Sequence, residues 1–323
     1  MTGNDASPSD RPVALVTGAS RGLGFLIARE LADRGHDLVL CARSADGLGP
    51  AADELVRRGA KVLRLAADVG VRADAERVVA EAERAFGRLD VLVTNAGIIQ
   101  VGPAREMTAE DYAEAMDVMF WGVVHPTLAA LPLLRRSRGR VLAITSIGGK
   151  LPAPHLLPYA AAKHAAVGFA EGLRIEAARD GVSVTVGVPG LMRTGSTRNA
   201  LFTGDRDAEH RWFTAAAGLP VLSMDAERAA RRLVSAVLRG RPEVTLTLPA
   251  KLGVRVHALA PATTLRVLTL VNRLLPDPVG SGAPQPGHTT SRPAAWFRRL
   301  TALDRDAARR FHEHEDPAPA SRA

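Results

Sequence analysis

A strand, a glycine-rich turn and a helix follow one another near the start of the chain, and they constrain the fold most strongly. The apolar run 13–16 leads into Thr17-Gly18-Ala19-Ser20-Arg21-Gly22-Leu23-Gly24, and a helical pattern follows at 25–31. Glycines permit a tight turn and a close approach of the backbone to a ligand, and a helix N-terminus offers unpaired N–H groups to an anion. The turn therefore predicts a phosphate site, although similar turns also occur without one.

Short apolar runs then alternate with longer helical patterns. Strands are predicted at 13–17, 37–42, 61–66, 89–93, 140–145, 183–188 and 243–248. Helices are predicted at 22–34, 46–58, 71–86, 108–136, 158–180 and 225–239. Several strands are apolar nearly throughout, which is typical of parallel strands covered on both faces. This alternation predicts an α/β fold, a Rossmann-type doubly wound parallel sheet of about seven strands, with the ligand at the carboxyl ends of the strands.

Length and composition predict one large domain with an appendage. The chain has 323 residues, of which 46% are hydrophobic. We predict a flexible N-terminus at 1–10, a dinucleotide-binding catalytic domain at 11–248, a basic amphipathic helical appendage at 249–276, and a linker, short helix and loose tail at 277–323. The single cysteine, Cys41, excludes an internal disulfide and cysteine clusters for metals.

Charge and hydropathy exclude other classes. The net charge is +8, but most basic residues are arginines dispersed along helices, so no nucleic-acid partner is predicted. The first ten residues lack the apolar core of a signal peptide, and no run of about 18 apolar residues is uninterrupted. We therefore expect a cytoplasmic protein without a spanning helix. His312 and His314 are two apart near the terminus, a spacing more typical of solvated side chains than of a metal site.

The residues after the second strand indicate which dinucleotide is bound. An acidic residue about 20 positions beyond the glycine turn would hold the ribose hydroxyls of NAD. Ala42 and Arg43 stand there instead, and Arg43 can meet the 2′-phosphate of NADP, with Arg21 as a second cation. The sequence therefore predicts NADP(H), although each arginine alone could be merely solvated.

Residues after three other strands complete the predicted cofactor site. Asp68, with the backbone of Val69, can accept from the adenine amino group, or Asp68 can cap the next helix; the two interpretations carry similar weight. Asn95-Ala96-Gly97 allows the backbone to pass close to the cofactor, and Asn95 can tie neighbouring strands. Pro189, Gly190 and Thr194 follow the sixth strand, in a turn that resembles one closing over a nicotinamide.

A general acid/base is predicted on the helix after the fifth strand. Tyr159 and Lys163 are four residues apart and share one helix face. An ammonium beside a phenol favours the phenolate, so we expect Lys163 to lower the pKa of Tyr159 toward neutrality. Ser146, at the end of the preceding strand, can hydrogen-bond the same substrate oxygen. The irregular stretch 195–220 carries Phe202, Trp212 and Phe213, and is interpreted as a substrate lid or as a surface loop whose aromatics pack on the core.

Together these residues resemble the classical short-chain dehydrogenase/reductase family over roughly residues 11–248. The matching motifs are Thr17-Gly18-x-x-x-Gly22-x-Gly24, Asp68, Asn95-Ala96-Gly97, Ser146, Tyr159-x-x-x-Lys163, Pro189-Gly190 and Thr194. The resemblance implies hydride transfer between NADP(H) and a carbonyl or alcohol of an apolar small molecule. It also implies Tyr159 as proton donor or acceptor, Lys163 as its partner and holder of the nicotinamide ribose, Ser146 as substrate-orienting residue, and a homodimer or homotetramer.

Met119 departs from the family pattern. The family usually has an asparagine there, which helps hold a water that relays protons to the lysine, and a thioether is a poor substitute. Another group such as His125 holds the water, or turnover is slower, or the chain is an NADP-binding protein with weak or no catalysis.

The C-terminal quarter leaves further alternatives open. Residues 251–276 carry Lys251, Arg255, Arg266 and Arg273 without an acidic residue. Such a basic amphipathic stretch can lie on an anionic membrane, making a peripheral reductase of lipid-like substrates, or it can cover the domain or a second subunit. Residues 294–315 look helical, with an apolar docking face of Trp296, Phe297, Leu300, Leu303 and Phe311.

Overall fold

A parallel sheet forms the centre of the molecule in the computed structural model, which describes residues 10–219, 223–276, 284–290 and 302–313. Its strands are β1 (Val13–Thr17), β2 (Asp37–Ala42), β3 (Val62–Ala66), β4 (Val91–Thr94), β6 (Arg140–Ile144), β7 (Ser183–Val188) and β11 (Glu243–Thr245). Their order is β11-β7-β6-β4-β1-β2-β3, and every pair is parallel. Shorter strands form two small sheets beside it: β5 (Gln100–Val101), β8 (Leu191–Arg193), β9 (Leu201–Phe202), β10 (Ser223–Asp225) and β12 (Gln285–Pro286).

Helices cover both faces of the sheet, as the apolar strands require. The described helices are α1 (Gly22–Asp33), α2 (Gly49–Arg57), α3 (Arg72–Phe86), α4 (Ala109–Met116), α5 (Gly122–Ser137), α6 (Leu157–Ala177), α7 (Arg206–Gly218), α8 (Ala226–Leu238), α9 (Leu248–Leu259), α10 (Pro261–Asn272) and α11 (Ala302–Arg310). Buried residues of α1, α2 and α8 form one core, and those of α3, α5 and α6 form the other. The predicted doubly wound Rossmann-type fold is confirmed, and helices also follow its last strand.

The sheet order reverses beside β1, and this reversal positions the site. The chain runs from β1 outward to β2 and β3, then returns to place β4 on the opposite side of β1. Ligands of open α/β sheets bind in the crevice at the carboxyl ends of the strands where the order reverses. The turn after Thr17 and the segment after Thr94 meet at this crevice.

Several predicted element boundaries are wrong for local reasons. β11 ends at Thr245, because the Thr247 side chain accepts a hydrogen bond from the Ala250 N–H and begins α9 at Leu248. The stretch predicted to be irregular contains α7, which Asp205 caps by accepting from the Ala208 N–H. A π-helical turn, Asp117–Trp121, interrupts the helix predicted at 108–136.

The helical stretch Ala109–Ser137 is long and apolar enough to cross a membrane by length and composition alone. Half of its most apolar window is buried within the protein, and its α5 part packs against α3. Core helices of compact domains pass the same test, so the stretch is accounted for by its place in the fold.

Candidate active site

The glycine turn between β1 and α1 is built for a close approach of backbone and ligand. Gly18 and Gly22 have φ values of +63° and +56°, at which residues other than glycine are strained. A Cβ on Gly24 would lie 2.1 Å from the Gly18 carbonyl oxygen and 2.4 Å from Asn95 Nδ2. The turn therefore fits a phosphate-binding cradle, and it cannot carry a side chain at Gly24 without rearranging.

Asn95 ties this turn to the end of β4. Its Nδ2 donates to the carbonyl oxygens of Thr17 and Gly18, both at 3.1 Å. The Thr17 Oγ1 in turn accepts from the N–H groups of Asn95 and Ala96, at 3.0 and 3.1 Å. Asn95 is therefore placed to hold the mouth of the crevice in shape, with Ala96 and Gly97 passing along it.

Ser146, Tyr159 and Lys163 converge beside that crevice. Ser146 follows β6, and its Oγ accepts from the Gly148 N–H at 3.0 Å and hydrogen-bonds the Tyr159 side chain. Lys163 is 4% exposed and its Nζ donates to the Ile144 carbonyl oxygen at 3.0 Å, 6.0 Å from the centroid of the Tyr159 ring. The structure thus brings together the three side chains that the sequence predicts to be catalytic.

Burial dominates the electrostatics of this group. It raises the pKa of Tyr159, and the Ser146 hydrogen bond offsets this only partly. It also lowers the pKa of Lys163 from 10.5 to about 8. The prediction that Lys163 brings the Tyr159 pKa toward neutrality is therefore wrong for this structure, because burial disfavours the charged form of both groups.

The side of the crevice next to β2 and β3, predicted to face the adenosine of a dinucleotide, holds Ala42, Arg43 and Asp68. Ala42 ends β2 and is half-buried, and Arg43 is exposed with no ion pair to any described residue. Asp68 Oδ1 accepts from the Gly70 N–H at 3.0 Å, but α3 begins four residues later with Val71 as its N-cap. Asp68 therefore shapes its own turn and does not cap the helix. Val69 is buried in the core, which leaves only its backbone for a ligand.

The turn after β7 lies at the other end. The Pro189 carbonyl oxygen accepts from the Ile147 N–H at 2.8 Å, which ties this turn to the segment after Ser146. A Cβ on Gly190 would lie 2.5 Å from Thr247 Oγ1. Thr194 is buried, and its Oγ1 accepts from the Ser196 N–H at 3.2 Å.

The region predicted as a lid packs inward. Phe202 and Phe213 are buried in a small core with Val101 and Ala200, which agrees with the loop alternative in which the aromatics pack. A feature missed from the sequence joins this region to the loop before Tyr159. His155 Nδ1 lies 2.7 Å from Glu209 Oε1, and Glu209 Oε2 accepts from Trp212 Nε1 at 2.5 Å.

Met119 is fully buried in the π-helical turn. It packs with Ala115 and Ala162, and Tyr159 lies against this cluster. The His125 ring stacks on Trp121 with centroids 5.1 Å apart. The thioether thus serves as a core residue behind Tyr159.

Fold and site together define a nicotinamide-dependent oxidoreductase that transfers a hydride. The family model for short chain dehydrogenase matches residues 12–202, and the chain belongs to that family. It is 38% identical over 240 residues to 11-beta-hydroxysteroid dehydrogenase A of Sesamum indicum, covering 72% of this chain and 67% of that protein. It is 38% identical over 188 residues to a putative ketoacyl reductase of Streptomyces coelicolor, covering 57% and 72%.

Solved structures show the same fold. A short-chain dehydrogenase from Streptomyces avermitilis superposes with a TM-score of 0.68 at 28% identity, covering 81% of this chain and 98% of that one. An actinorhodin polyketide ketoreductase with NADPH superposes with a TM-score of 0.64 at 30% identity, covering 75% and 98%. Family membership, predicted from the motifs, is confirmed.

Proposed function

We propose that this protein is an NADP(H)-dependent oxidoreductase that interconverts a carbonyl and a secondary alcohol on an apolar small molecule. The observation that carries the proposal is the convergence of Ser146, Tyr159 and Lys163 beside the glycine turn. Within one crevice, Ser146 supplies a hydroxyl that can orient the substrate oxygen, Tyr159 supplies the proton donor, and Lys163 supplies the proton that restores Tyr159.

Each side chain takes a distinct part in the proposed reaction. The nicotinamide, when bound, supplies or accepts the hydride. The Tyr159 hydroxyl gives or takes the proton at the substrate oxygen, and Ser146 orients that oxygen through a second hydrogen bond. Lys163 is held by the Ile144 carbonyl oxygen, and a pKa of about 8 lets its amine exchange protons near neutral pH. It can therefore restore the proton on Tyr159 between turnovers.

The proposed preference for NADP(H) rests on the end of β2. No carboxylate stands at Ala42 to repel a 2′-phosphate, and the exposed Arg43 can meet it. An alcohol dehydrogenase from Thermococcus sibiricus, solved with 5-hydroxy-NADP, is 27% identical with a TM-score of 0.61. The ketoreductase solved with NADPH points the same way.

Replacing Ala42 by aspartate is expected to reverse this preference. The carboxylate repels a 2′-phosphate but accepts from a ribose hydroxyl, so the ratio of kcat/KM for NADPH over NADH should fall about 100-fold. Arg43→Ala should weaken NADPH binding about tenfold and leave NADH unchanged. Arg57→Ala, an exposed arginine on α2, is the matched control. If Ala42→Asp and Arg43→Ala both left the ratio of kcat/KM for NADPH over NADH unchanged, the 2′-phosphate would not bind at the end of β2.

The proposed substrate is apolar. Ile99, Leu156 and Trp212 are partly buried apolar side chains next to the small core under the lid region. The names of the relatives, hydroxysteroid dehydrogenases and a ketoacyl reductase, indicate carbonyls on large apolar or acyl carbon skeletons. A substrate panel of steroid ketones, ketoacyl thioesters and cyclic ketones covers this range.

Met119 supports one alternative hypothesis, that the chain is an NADP-binding protein with weak or no catalysis. A methionine buried behind Tyr159 cannot hold a relay water with its side chain as an amide would. Under this alternative, the protein should bind NADPH, but no carbonyl in the panel should oxidise it. The pKa of about 8 for Lys163 favours the catalytic proposal, because it supplies an exchangeable proton beside Tyr159.

A second candidate function, a peripheral membrane reductase, is favoured by the α9–α10 hairpin. Ala250 is the only buried residue of either helix, and Leu248, Leu259 and Leu274 are 78%, 87% and 85% exposed. No acidic residue occurs from 246 to 276. Large exposed apolar side chains with cations alone fit the interface of an anionic bilayer.

A cationic cleft continues this surface next to α9. It has a volume of about 590 Å³ and is lined by Lys251 and by six arginines, which come from the residue after α1, from α8 and from the segment between α8 and β11. Arg228, Arg231 and Arg239 pair with no carboxylate among the described residues. Such a cleft is complementary in charge to the phosphate groups of anionic lipids.

The cytoplasmic location and the homodimer or homotetramer stay predictions.

Sedimentation with lipid vesicles tests the membrane surface. The full chain should sediment with vesicles of equal parts phosphatidylcholine and phosphatidylglycerol, and less with phosphatidylcholine alone. Changing Leu252, Leu259 and Leu274 together to serine should weaken binding at least about tenfold, because their burial in the interface is lost. Ile175→Ser is the control, since Ile175 is 77% exposed on α6. Equal binding of both vesicle types, or none, would remove this candidate.

A further inference from the structure

The segment that ends the described chain lies on the glycine turn. The Phe311 carbonyl oxygen accepts from the Gly22 N–H at 2.8 Å, at the first residue of α1. Glu313 Oε2 lies 3.4 Å from Arg21 Nε, and a Cβ on Gly22 would lie 2.4 Å from Glu313 Oε1. A carbonyl oxygen and a carboxylate thus stand at the helix N-terminus, where an anion such as a phosphate binds.

The same segment also engages the loop after Thr194. Asp304 Oδ1 accepts from the Gly195 N–H at 3.0 Å, and Asp304 Oδ2 accepts from Thr197 Oγ1 at 2.9 Å. A Cβ on Gly195 would lie 2.3 Å from the Ala308 Cβ. α11 therefore covers the residues directly after Thr194, next to the turn that resembles one closing over a nicotinamide.

These contacts form a packed interface. Asp304, Ala308, Phe311 and Glu313 are each at most 5% exposed. Phe311 belongs to the core under α1, and Asn199 Nδ2 donates to Glu313 Oε2 at 2.6 Å. Buried carboxylates are costly unless they are paired, and here Asp304 accepts from Gly195 and Thr197, and Glu313 accepts from Asn199 beside Arg21. The segment is thus fitted to the crevice by shape and by charge.

We propose that residues 302–313 compete with the dinucleotide within the same chain, an inference that rests on the proposed function. The segment takes the donor that a phosphate needs at Gly22 and covers the loop that follows Thr194, so dinucleotide binding requires its displacement. The apparent affinity for the dinucleotide is then reduced by the fraction of molecules in which the segment is displaced.

Dinucleotide titration of full-length variants tests the competition. Glu313→Ala and Asp304→Ala each remove contacts made only in the covered state, so NADPH should bind about tenfold more tightly to each. Asp306→Ala is the matched control, because Asp306 is an exposed carboxylate on the same helix. Unchanged or weaker binding in both variants would overturn the proposal. Absence of NADPH binding in the wild type and in every variant would instead overturn the proposed function on which it rests.

Hydrogen exchange on the unaltered full chain separates a competitor from a closing lid. Saturating NADPH should speed exchange of the amides of 302–313, because the segment leaves the crevice, while amides of the glycine turn become more protected. Slower or unchanged exchange in 302–313, with a protected turn, would show a segment that stays on the bound cofactor and would overturn the proposal.

Discussion

Tyr159→Phe is expected to lower kcat by about 10³-fold or more. The substitution removes one hydroxyl, which the proposed reaction needs to transfer the proton at the substrate oxygen. The ring stays, so the packing against Met119 and Ala162 is kept and NADPH binding should change little. Steady-state rates with NADPH and a reactive carbonyl, together with an NADPH titration, measure the two quantities separately.

Tyr112→Phe provides the matched control for this change. Tyr112 is the only other tyrosine of the chain and lies on α4, half-buried. It should keep the wild-type rate. A Tyr159→Phe enzyme that retained most of its kcat would remove Tyr159 from the proposed chemistry.

Lys163→Met is expected to lower kcat by about 10²-fold or more and, at neutral pH, to stabilise the fold. The pKa of Lys163 falls from 10.5 to about 8 on burial, so the unfolded chain binds this proton more tightly than the folded one. Below about pH 8 that difference costs the folded state about 3 kcal/mol. The cost fades as pH rises from about 8 to 10.5, where the unfolded chain also loses the proton. Methionine avoids this cost but leaves the Ile144 carbonyl oxygen without its donor, so the net gain should be about 1 to 2 kcal/mol.

Urea unfolding at pH 7 and at pH 10 measures the change in stability, and steady-state rates measure the change in kcat. The gain in unfolding free energy should be present at pH 7 and much smaller at pH 10. Lys61→Met, at an exposed lysine, should alter neither stability nor rate. A variant that is less stable than the wild type at pH 7 would mean that the buried ammonium is stabilised by its surroundings.

Local patterns were enough to predict the parts of the site that follow strands. The apolar run 13–16 and the glycines of the turn define β1, the cradle and α1 within one short stretch. The spacing of Tyr159 and Lys163 places both on one face of α6, and Ser146 follows its strand directly. Each of these inferences depends on residues close in sequence, and parallel strands bring their carboxyl ends to one edge.

The remaining features depend on contacts between distant segments or on burial. The pKa of Tyr159 follows from the burial of its ring, which no local spacing reveals. Phe311 and Gly22 are far apart in the chain, and Glu313 resembles any terminal acid in the sequence. The predicted docking face of 294–315 is confirmed at Phe311 alone: Leu303 is 51% exposed, and Trp296, Phe297 and Leu300 lie outside the described residues. The cationic cleft likewise assembles arginines from separate helices.

Oxidation of NADPH by the purified full chain tests the central claim most directly. The loss of nicotinamide absorbance would be followed with steroid ketones, ketoacyl thioesters and cyclic ketones, with NADH alongside and Tyr159→Phe as the matched inactive enzyme. The account predicts turnover of at least one carbonyl, faster with NADPH than with NADH, and abolished in Tyr159→Phe. Tight binding of NADPH without oxidation by any carbonyl, or turnover that persists in Tyr159→Phe, would contradict it.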